Sequence, residues 1–460
     1  MNNFEKDIRK NVINQLDNAS SVVVSTAVTS IGHSIKSRFV NDDLDLFLVI
    51  SRESITAAHL NFNHLVNVCI CDDETDSGSV SLSGEISKIT DDEEIHRILE
   101  KWNGKYPDHP ISGELNDKLV VKVLPRRIDI QHDEREDSLV LSVENELIRR
   151  FVSTILLKLK LISAILRVPF FTASIAPVIL GASIAFHQRG MLNWWTFLLT
   201  LIGSITAHAA ANVINDYYDH RSGNDEMNIY HNAFSGGSRM IQNKIITPEK
   251  TYFIAVFLFV ITILIGLYLN SVTNGNIILY IGIIGVILGF TYSASPLKLS
   301  YRGIGEMAIV VSFGPLIVVG AYYVQVQSLD LMPLLASIPN GILVGLILLI
   351  NEFQDMTADQ AAGKNTIVVQ LKKKKRSLLI YKISLISVFI WLLGCTIAGI
   401  FPLWTLITLI AIPMIKKAFR IASAHYEKIW ELLPANALTI GIHLMTTLLF
   451  ALAFILDVFI

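Results

Sequence analysis

After residue 160 the chain alternates between long apolar runs and short polar ones. A bilayer core about 30 Å thick takes roughly 20 apolar residues per helix. Runs near 168–187, 194–213, 252–270, 276–293, 304–324, 332–350, 378–400, 402–415 and 434–456 meet or approach that length. Helix is the expected element, because lipid offers no partner to an open strand edge. The pattern therefore predicts nine transmembrane helices, the eighth of them short. Upstream, the period changes to two. Apolar and polar residues alternate through 21–26, 45–50, 66–71, 79–86 and 118–124, as in half-buried strands of an antiparallel sheet or barrel. Residues 52–63 and 91–102 read as short helices between them, with Thr90 or Asp91 capping the second. Residues 131–146 are acidic and polar, in the manner of a linker. Residues 147–165 set apolar positions among Arg149, Arg150, Lys158 and Lys160, as in a helix lying on the cytoplasmic leaflet. The expected organisation is a soluble, barrel-like α+β domain over 1–132, a linker and interfacial helix over 133–165, and an all-α polytopic membrane domain over 166–460.

Charge sharpens this division. Residues 1–150 hold 17 Lys/Arg against 27 Asp/Glu, a net −10, which leaves 21 against 13, a net +8, for residues 151–460. Neither part has a basic face interleaved with aromatics, so nucleic acid is not an expected partner. The basic residues gather in alternate loops. Before the first run stand Arg149, Arg150, Lys158, Lys160 and Arg167; after the second, Arg221, Arg239, Lys244 and Lys250; after the fourth, Lys298 and Arg302. Lys364, the 372–376 cluster and Lys382 follow the sixth, and Lys416, Lys417, Arg420 and Lys428 the eighth, whereas the opposite loops hold only Arg189. The positive-inside rule then puts the N-terminus and soluble domain in the cytoplasm and the C-terminus outside an inner (cytoplasmic) membrane. The first 30 residues lack the charged-then-apolar order of a signal peptide. Of the three cysteines, Cys69, Cys71 and Cys395, the first two share one side of a strand and read as packing residues.

Two acidic motifs break the apolar pattern. The first reads Asn212-Val-Ile-Asn215-Asp216-Tyr-Tyr-Asp219-His-Arg-Ser-Gly-Asn-Asp225. Asn212, Asp216 and Asp219 fall at i, i+4 and i+7, on one face of a helix end. The second reads Asn351-Glu352-Phe-Gln-Asp355-Met-Thr-Ala-Asp359-Gln-Ala-Ala-Gly-Lys364, with Asp355 and Asp359 again at i, i+4. An Asp at mid-membrane costs about 2.5–3.5 kcal/mol, so such clusters near spans point to a site. Carboxylates this dense call for a cation, and Mg²⁺ suits them, being usually shared between one or two carboxylates and substrate phosphates. Asn212, Asp216, Asp219, Asp225, Asp355 and Asp359 are the candidate ligands, with Asp216, Asp219, Asp355 and Asp359 the candidate catalytic groups. Arg239, Lys298, Arg302 and Lys364 lie in cytoplasmic loops, where they could neutralise a departing diphosphate. The competing reading makes the acids solvated loop residues and helix caps. A transporter would line an ion path with them, but they cluster at one face and no inverted repeat accompanies them. His208 and His443 read as hydrogen-bonded packing residues, although His208, one turn before Asn212, is also placed to face a cavity.

These two motifs, together with Ser235-Gly-Gly-Ser-Arg239 and Tyr292-Ser-Ala-Ser-Pro-Leu-Lys298, resemble those of the UbiA-type membrane prenyltransferase superfamily. The resemblance runs from about Leu166 to the C-terminus. Within it, the spacing of Asp216, Asp219 and Asp225 and the Asn351-Glu352-Phe-Gln-Asp355 run are most similar to the 1,4-dihydroxy-2-naphthoate polyprenyltransferases of menaquinone synthesis. Many relatives carry an acid where His220 stands, which leaves Asp219 and Asp225 as alternatives for one ligand position. The resemblance implies a central cavity among nine helices, capped on the cytoplasmic side by the acidic motifs. It also implies Mg²⁺-dependent transfer of a prenyl group from polyprenyl diphosphate to an aromatic acceptor. An acceptor such as 4-hydroxybenzoate or a lipid alcohol is the alternative. Arg167 matches an Arg that often binds diphosphate in relatives, and a positive-inside anchor is its other reading. Residues 15–130 resemble pyridoxamine-phosphate-oxidase-like FMN-binding split barrels. Thr56-Ala-Ala stands where many of these have a lysine for the flavin phosphate, with Lys36, Arg38 and Arg52 as substitutes. A cofactor-free structural or regulatory barrel, and a flavin reductase anchored by the membrane part, remain the other readings. Oligomeric state is not legible.

Overall fold

The computed structural model describes residues 3–28, 31–70, 79–111, 117–132, 135–140, 146–228, 230–232 and 234–459. The chain forms two compact units, Met1–Ile162 with Asn243–Ile246, and Ser163–Gln242 with Thr247–Ile460.

The first unit opens with α1 (Asn3–Asn18) and is built on an antiparallel half-barrel sheet. Its strands are β1 (Val22–Val28), β2 (Ile31–Ser37), β3 (Phe39–Asp42), β4 (Asp45–Ser51), β5 (Leu65–Ile70), β6 (Ser79–Lys88), β7 (Lys118–His132) and β8 (Arg135–Val140). They are ordered β2-β1-β5-β6-β7-β4-β3, with β8 on the far half of β7. The alternation works as the sequence pattern requires: Val66, Val68 and Ile70 are buried, while Leu65 and Asn67 face out. The acidic stretch expected to be a linker is partly β8, paired with β7 from Arg127↔Val140 to His132↔Arg135. Residues 141–145 and Cys71 lie outside the described residues. Between β4 and β5 lies α2 (Ile55–Leu60), capped by Ser54, whose Oγ accepts from the Ala57 N–H at 3.1 Å. Helix α3 (Asp92–Lys105) is capped by Asp91, which accepts from the Glu93 and Glu94 N–H groups. Its Ile98 and Trp102 pack on Val40, Phe47 and Val120.

Helix α4 (Glu146–Leu166) takes the place of the expected interfacial helix. Ile155, Leu159 and Ile162 are exposed at i, i+4 and i+7, so one apolar stripe stays uncovered. The second unit follows through α5 (Thr172–Arg189), α6 (Trp194–Ser222), α7 (Asn224–Met227), α8 (Pro248–Ser271), α9 (Ile277–Thr291), α10 (Gly305–Val311), α11 (Ile317–Val326), α12 (Leu331–Ala361), α13 (Ile367–Leu371), α14 (Lys374–Ile397), α15 (Ile412–His425) and α16 (Ile429–Phe459). Among the described residues, seven helical stretches are long and apolar enough to cross a membrane. One of them, Gly305–Val326, joins α10 to α11 through a π turn at Ser312–Leu316 that holds Pro315. The Phe313 carbonyl inside that turn accepts from Asn340 Nδ2 at 2.7 Å. The expected count of nine is not reached by this measure. Helix α9 has only 15 residues, and the 402–415 run forms a 3₁₀ helix, Leu403–Ala411, before α15 begins near Pro413. Proline lacks the N–H that a continuous helix would need there.

Large apolar residues such as Phe253, Phe257, Leu264, Ile283, Ile383 and Ile390 stand exposed on α8, α9 and α14, the reverse of a water-soluble surface. The protein is an integral membrane protein. Inside, helices approach closely at small residues. A Cβ built on Gly181 of α5 would lie 2.4 Å from the Val318 carbonyl of α11, and one on Gly341 of α12 would lie 2.4 Å from the Val310 carbonyl of α10. Gly181→Leu should therefore force α5 from α11 and destabilise the protein by about 3 kcal/mol, at the upper end of overpacking costs. Thermal unfolding in detergent checks this, and an unchanged midpoint would contradict it.

Candidate active site

Helices α6 and α12 are 29 and 31 residues long, about 44 and 46 Å at 1.5 Å per residue. Both outrun the bilayer core, and the acidic motifs ride on the excess. Asn212, Asp216 and Asp219 stand on α6, Asp355 and Asp359 on α12, and Asp225 on the short α7. The helix end expected for Asn212, Asp216 and Asp219 is thus the last turns of α6, and Asp355 and Asp359 ride on α12 in the same way. Gly223, in the left-handed region at φ 75°, ends α6 by donating its N–H to the Asp219 and His220 carbonyls.

The motifs meet at one cavity of about 390 Å³, lined by Asn212, Asp219, Asp225, Asp355, Asp359 and Lys364 at its polar end. Arg167 also lines it. Asp216 stands just behind: a Cβ on Gly237 would lie 3.1 Å from Asp216 Oδ1 and 2.9 Å from Asp225 Oδ2. Only a glycine, here at φ 71°, lets the backbone pass so close to two carboxylates. Asp216, Asp219, Asp225 and Asp359 are 5%, 4%, 3% and 2% exposed, which is unusual for acids.

Lys364 ties the two motifs together. Its Nζ donates to Asp219 Oδ2 at 3.2 Å and lies 3.8 Å from Asp359 Oδ1. Burial works against this ammonium, yet Asp219 and Asp359 outweigh it and hold the group charged well above the usual lysine range. Burial raises the Asp225 carboxyl well above the carboxylate range, with Asp219 and Asp216 adding to it and Lys364 and Arg239 opposing. The 228–239 loop makes a second bridge. Asn228 Nδ2 and the Ser235 hydroxyl both donate to Asp355 Oδ1, the former at 2.6 Å, and Asn232 donates to Gln354 at 2.6 Å. A third segment contributes Tyr301, whose hydroxyl donates to Asp219 Oδ1 at 3.3 Å and is pushed up to about 12 by burial and by Asp219. Ser293 donates to Asn215, which donates to Asp219 at 3.0 Å.

The other sequence-derived cations do not line the cavity. Arg239 donates to the Asp225 carbonyl, Arg302 is exposed and donates to the Pro296 carbonyl at 3.1 Å, and Lys298 lies over the Tyr301 ring at 5.2 Å. His220 pairs with Glu226, so Asp219 and Asp225 both reach the cavity without it. His208 bonds Ser174 at 2.8 Å, packs against Phe313 and lines the cavity, whereas His443 bonds Asn340 at 3.1 Å in the core. Sequence reasoning did not single out Asn228, Ser235 or Tyr301 as site residues. It quoted Glu352 without a role, although Glu352, Asp355 and Asp359 share a helix face at i, i+3 and i+7.

This oxygen-rich set fits a hard divalent cation. Among the described residues no group of three or more His, Cys, Asp or Glu is gathered to enclose an ion alone. A cation here would complete its shell with other oxygens, as Mg²⁺ commonly does with substrate phosphates. The flavin set of the first unit fits its ligand poorly. Thr56 is 1% exposed with its hydroxyl unpartnered, Arg52 donates to the Lys118 carbonyl at 2.9 Å, and Arg38 lies over the Tyr106 ring.

Comparison with known proteins bears on both units. The model of the UbiA prenyltransferase family matches residues 174–455. The chain is 28% identical over 243 residues to a 1,4-dihydroxy-2-naphthoate octaprenyltransferase of Bacillus subtilis, covering 53% of this chain and 75% of that one. It is 26% identical over 294 residues to a 2-carboxy-1,4-naphthoquinone phytyltransferase of Synechocystis, covering 64% and 92%. The N-terminal unit's structural neighbours include a putative pyridoxamine 5′-phosphate oxidase from Listeria innocua, at 21% identity, TM-score 0.25, and 27% and 97% coverage.

Replacing Lys364 by Met would leave Asp219 and Asp359 facing each other across the cavity. Breaking a buried ion pair from one side costs about 3–5 kcal/mol; the lower figure is expected, since the cavity admits solvent. Thermal unfolding in detergent with a chelator should show the loss, and added Mg²⁺ should recover part of it. A Lys364→Met protein as stable as the wild type under chelation would show that the bridge carries no weight.

Proposed function

Because the chain belongs to the UbiA prenyltransferase family and is therefore a prenyltransferase, we propose that it carries a polyprenyl group from polyprenyl diphosphate to 1,4-dihydroxy-2-naphthoate. The observation that carries this reading is the convergence of α6, α7 and α12 acids, bridged by Lys364, at the polar end of an otherwise apolar cavity. A diphosphate fits such an end and an isoprenoid tail fits the rest. The naphthoate acceptor is favoured by the printed activities of the two relatives above. Asp216, Asp219, Asp225 and Asn212 on one side, and Asp355 and Asp359 on the other, would hold Mg²⁺. Bound there, Mg²⁺ would offset the charge of the leaving diphosphate. Lys364 and Arg167 would bind the same diphosphate directly.

In the proposed reaction the C–O bond between prenyl and diphosphate breaks, and an electron-rich ring carbon forms a C–C bond to the freed allylic carbon. Ile265, Leu269, Ile281 and Leu316 line the apolar end of the cavity, where water that would otherwise capture an allylic cation is kept away. The acceptor then loses its carboxylate as CO₂. We further propose nine crossings of the inner membrane, with α9 and the 403–425 segment supplying the two shorter ones. The N-terminus and acidic motifs would face the cytoplasm and the C-terminus the outside.

Membranes from expressing cells, given Mg²⁺, a polyprenyl diphosphate and dihydroxynaphthoate, should form a prenylated naphthol. Product should fall by about 100-fold or more in Asp216→Ala and Asp355→Ala, the scale of losing one preorganised electrostatic group. It should vanish with a chelator. Product from 4-hydroxybenzoate or a lipid alcohol alone would move the assignment to that acceptor.

A further inference from the structure

Helix α9 has two unlike faces. Tyr280, Ile283, Ile284 and Ile287, at i, i+3, i+4 and i+7, are exposed. On the other side Ile278, Gly282, Gly285, Gly289 and Tyr292 fall at i, i+4, i+7, i+11 and i+14, one continuous stripe, and all five line the cavity. At 1.5 Å per residue the stripe is about 21 Å long. Its Tyr292 end is tied to the acids, because Ser293 donates to Asn215, which donates to Asp219 at 3.0 Å. Its Ile278 end is closed: Ile278 packs with Leu269 and Val324 in a buried cluster, and all three line the cavity there.

Glycine is a poor helix former, and membrane helices carry it mainly where two backbones approach. That accounts for Gly181 and Gly341, whose added Cβ would meet a backbone carbonyl. It does not account for Gly282 and Gly285, nor for Gly266 of α8, which also lines the cavity. A Cβ built on any of these three meets nothing within 4 Å. They give the cavity width and bring no helices together. At the polar end, Asn224 Oδ1 and Thr366 Oγ1 are buried without a partner, on residues 6% and 3% exposed that line the same cavity. Such atoms call for a bound group. A ligand that answers both ends has a polar head and a long apolar chain behind it.

We propose that the glycine face of α9, with Gly266 of α8, is the channel for the prenyl tail and sets which donor lengths the enzyme accepts. This rests on the polyprenyl-diphosphate reading above. With the diphosphate at the acids, the chain runs down the stripe from Tyr292 toward Ile278. It passes Gly285 about 10 Å and Gly282 about 15 Å from Tyr292 on the helical rise. A large side chain at either position stands in its path, and the nearer one stops a shorter chain.

The test gives the full-length protein in detergent Mg²⁺, dihydroxynaphthoate and geranyl, farnesyl, geranylgeranyl or octaprenyl diphosphate in turn. Gly282→Phe and Gly285→Phe should each lower kcat/KM by about 10-fold or more for donors beyond a cut-off, the lower end of discrimination by an apolar pocket. Below the cut-off, values should stay near wild type. The cut-off should fall at a shorter donor in Gly285→Phe than in Gly282→Phe. Ile284→Phe, on the exposed face, should leave donor selection as it is. Unfolding temperatures should stay at or above the wild-type value, since the Cβ of each new side chain meets no packed neighbour. An equal loss for every donor would overturn the proposal, as would a lowered unfolding temperature, which would make these glycines packing residues. Unchanged donor selection would also overturn it and leave the groove to a lipid acyl chain. A wild-type enzyme that forms no product with a donor of any length would instead overturn the donor and acceptor proposed above, and this inference with them.

Discussion

Asp219, Asp225, Glu352, Asp355 and Asp359 stand around one cavity, with Asp216 just behind, and among its lining residues only Arg167 and Lys364 bring positive side chains. Taking so much like charge out of water is costly unless something pairs it. The surrounding architecture answers that cost piece by piece. Lys364 spans Asp219 and Asp359, the 228–239 loop turns two donors onto Asp355, and Tyr301 and Asn215 reach Asp219. What these contacts leave uncompensated is the charge that a cation and a polyanion together would balance. Polar donors alone cannot supply it.

The same constraint shapes the helices. Ending α6 near residue 213 or α12 near 350, where the apolar runs stop, would leave the acids on separate flexible loops. Continuing each helix by roughly two and a half to three more turns fixes the carboxylates at helical spacing and presents them from rigid supports, which preorganised charge requires. Gly237 then lets the connecting loop pass between Asp216 and Asp225. Small residues do comparable work lower down, where Gly341 and Gly314 let α12 and the π-turn helix approach closely. That crossing also positions α10, and with it Glu306, beside the inner face of α12.

Much of this was legible from residue spacing. The i, i+4, i+7 pattern of Asn212, Asp216 and Asp219 predicted one helix face, and a cap at Thr90 or Asp91 was readable from the acids that follow, with Asp91 the one that serves. The acidic half of the cavity is local sequence. Its partners are not: Asn228, Ser235, Ser293 and Tyr301 are ordinary polar residues until the tertiary fold brings them to α6 and α12. In the sheet, β3 has only four residues and β8 is too acidic to look like a strand, so pairing with β4 and β7 decides both. Helix α1 was not anticipated: it buries Ile8, Val12 and Leu16 at four-residue intervals, a stripe that its polar composition concealed. Hydropathy could not see that Pro402 and Pro413 would break the 402–415 run into a 3₁₀ helix and α15.

A buried acid can be a structural anchor or a chemical group, and the two differ in what their second oxygen does. Asp355 shows the anchor: both Asn228 and Ser235 donate to its Oδ1. Glu306 is similar, with the Ile367 N–H donating to its Oε1. Glu352 differs, because its remaining oxygen is buried and unpaired at the wall of a cavity large enough for a ring.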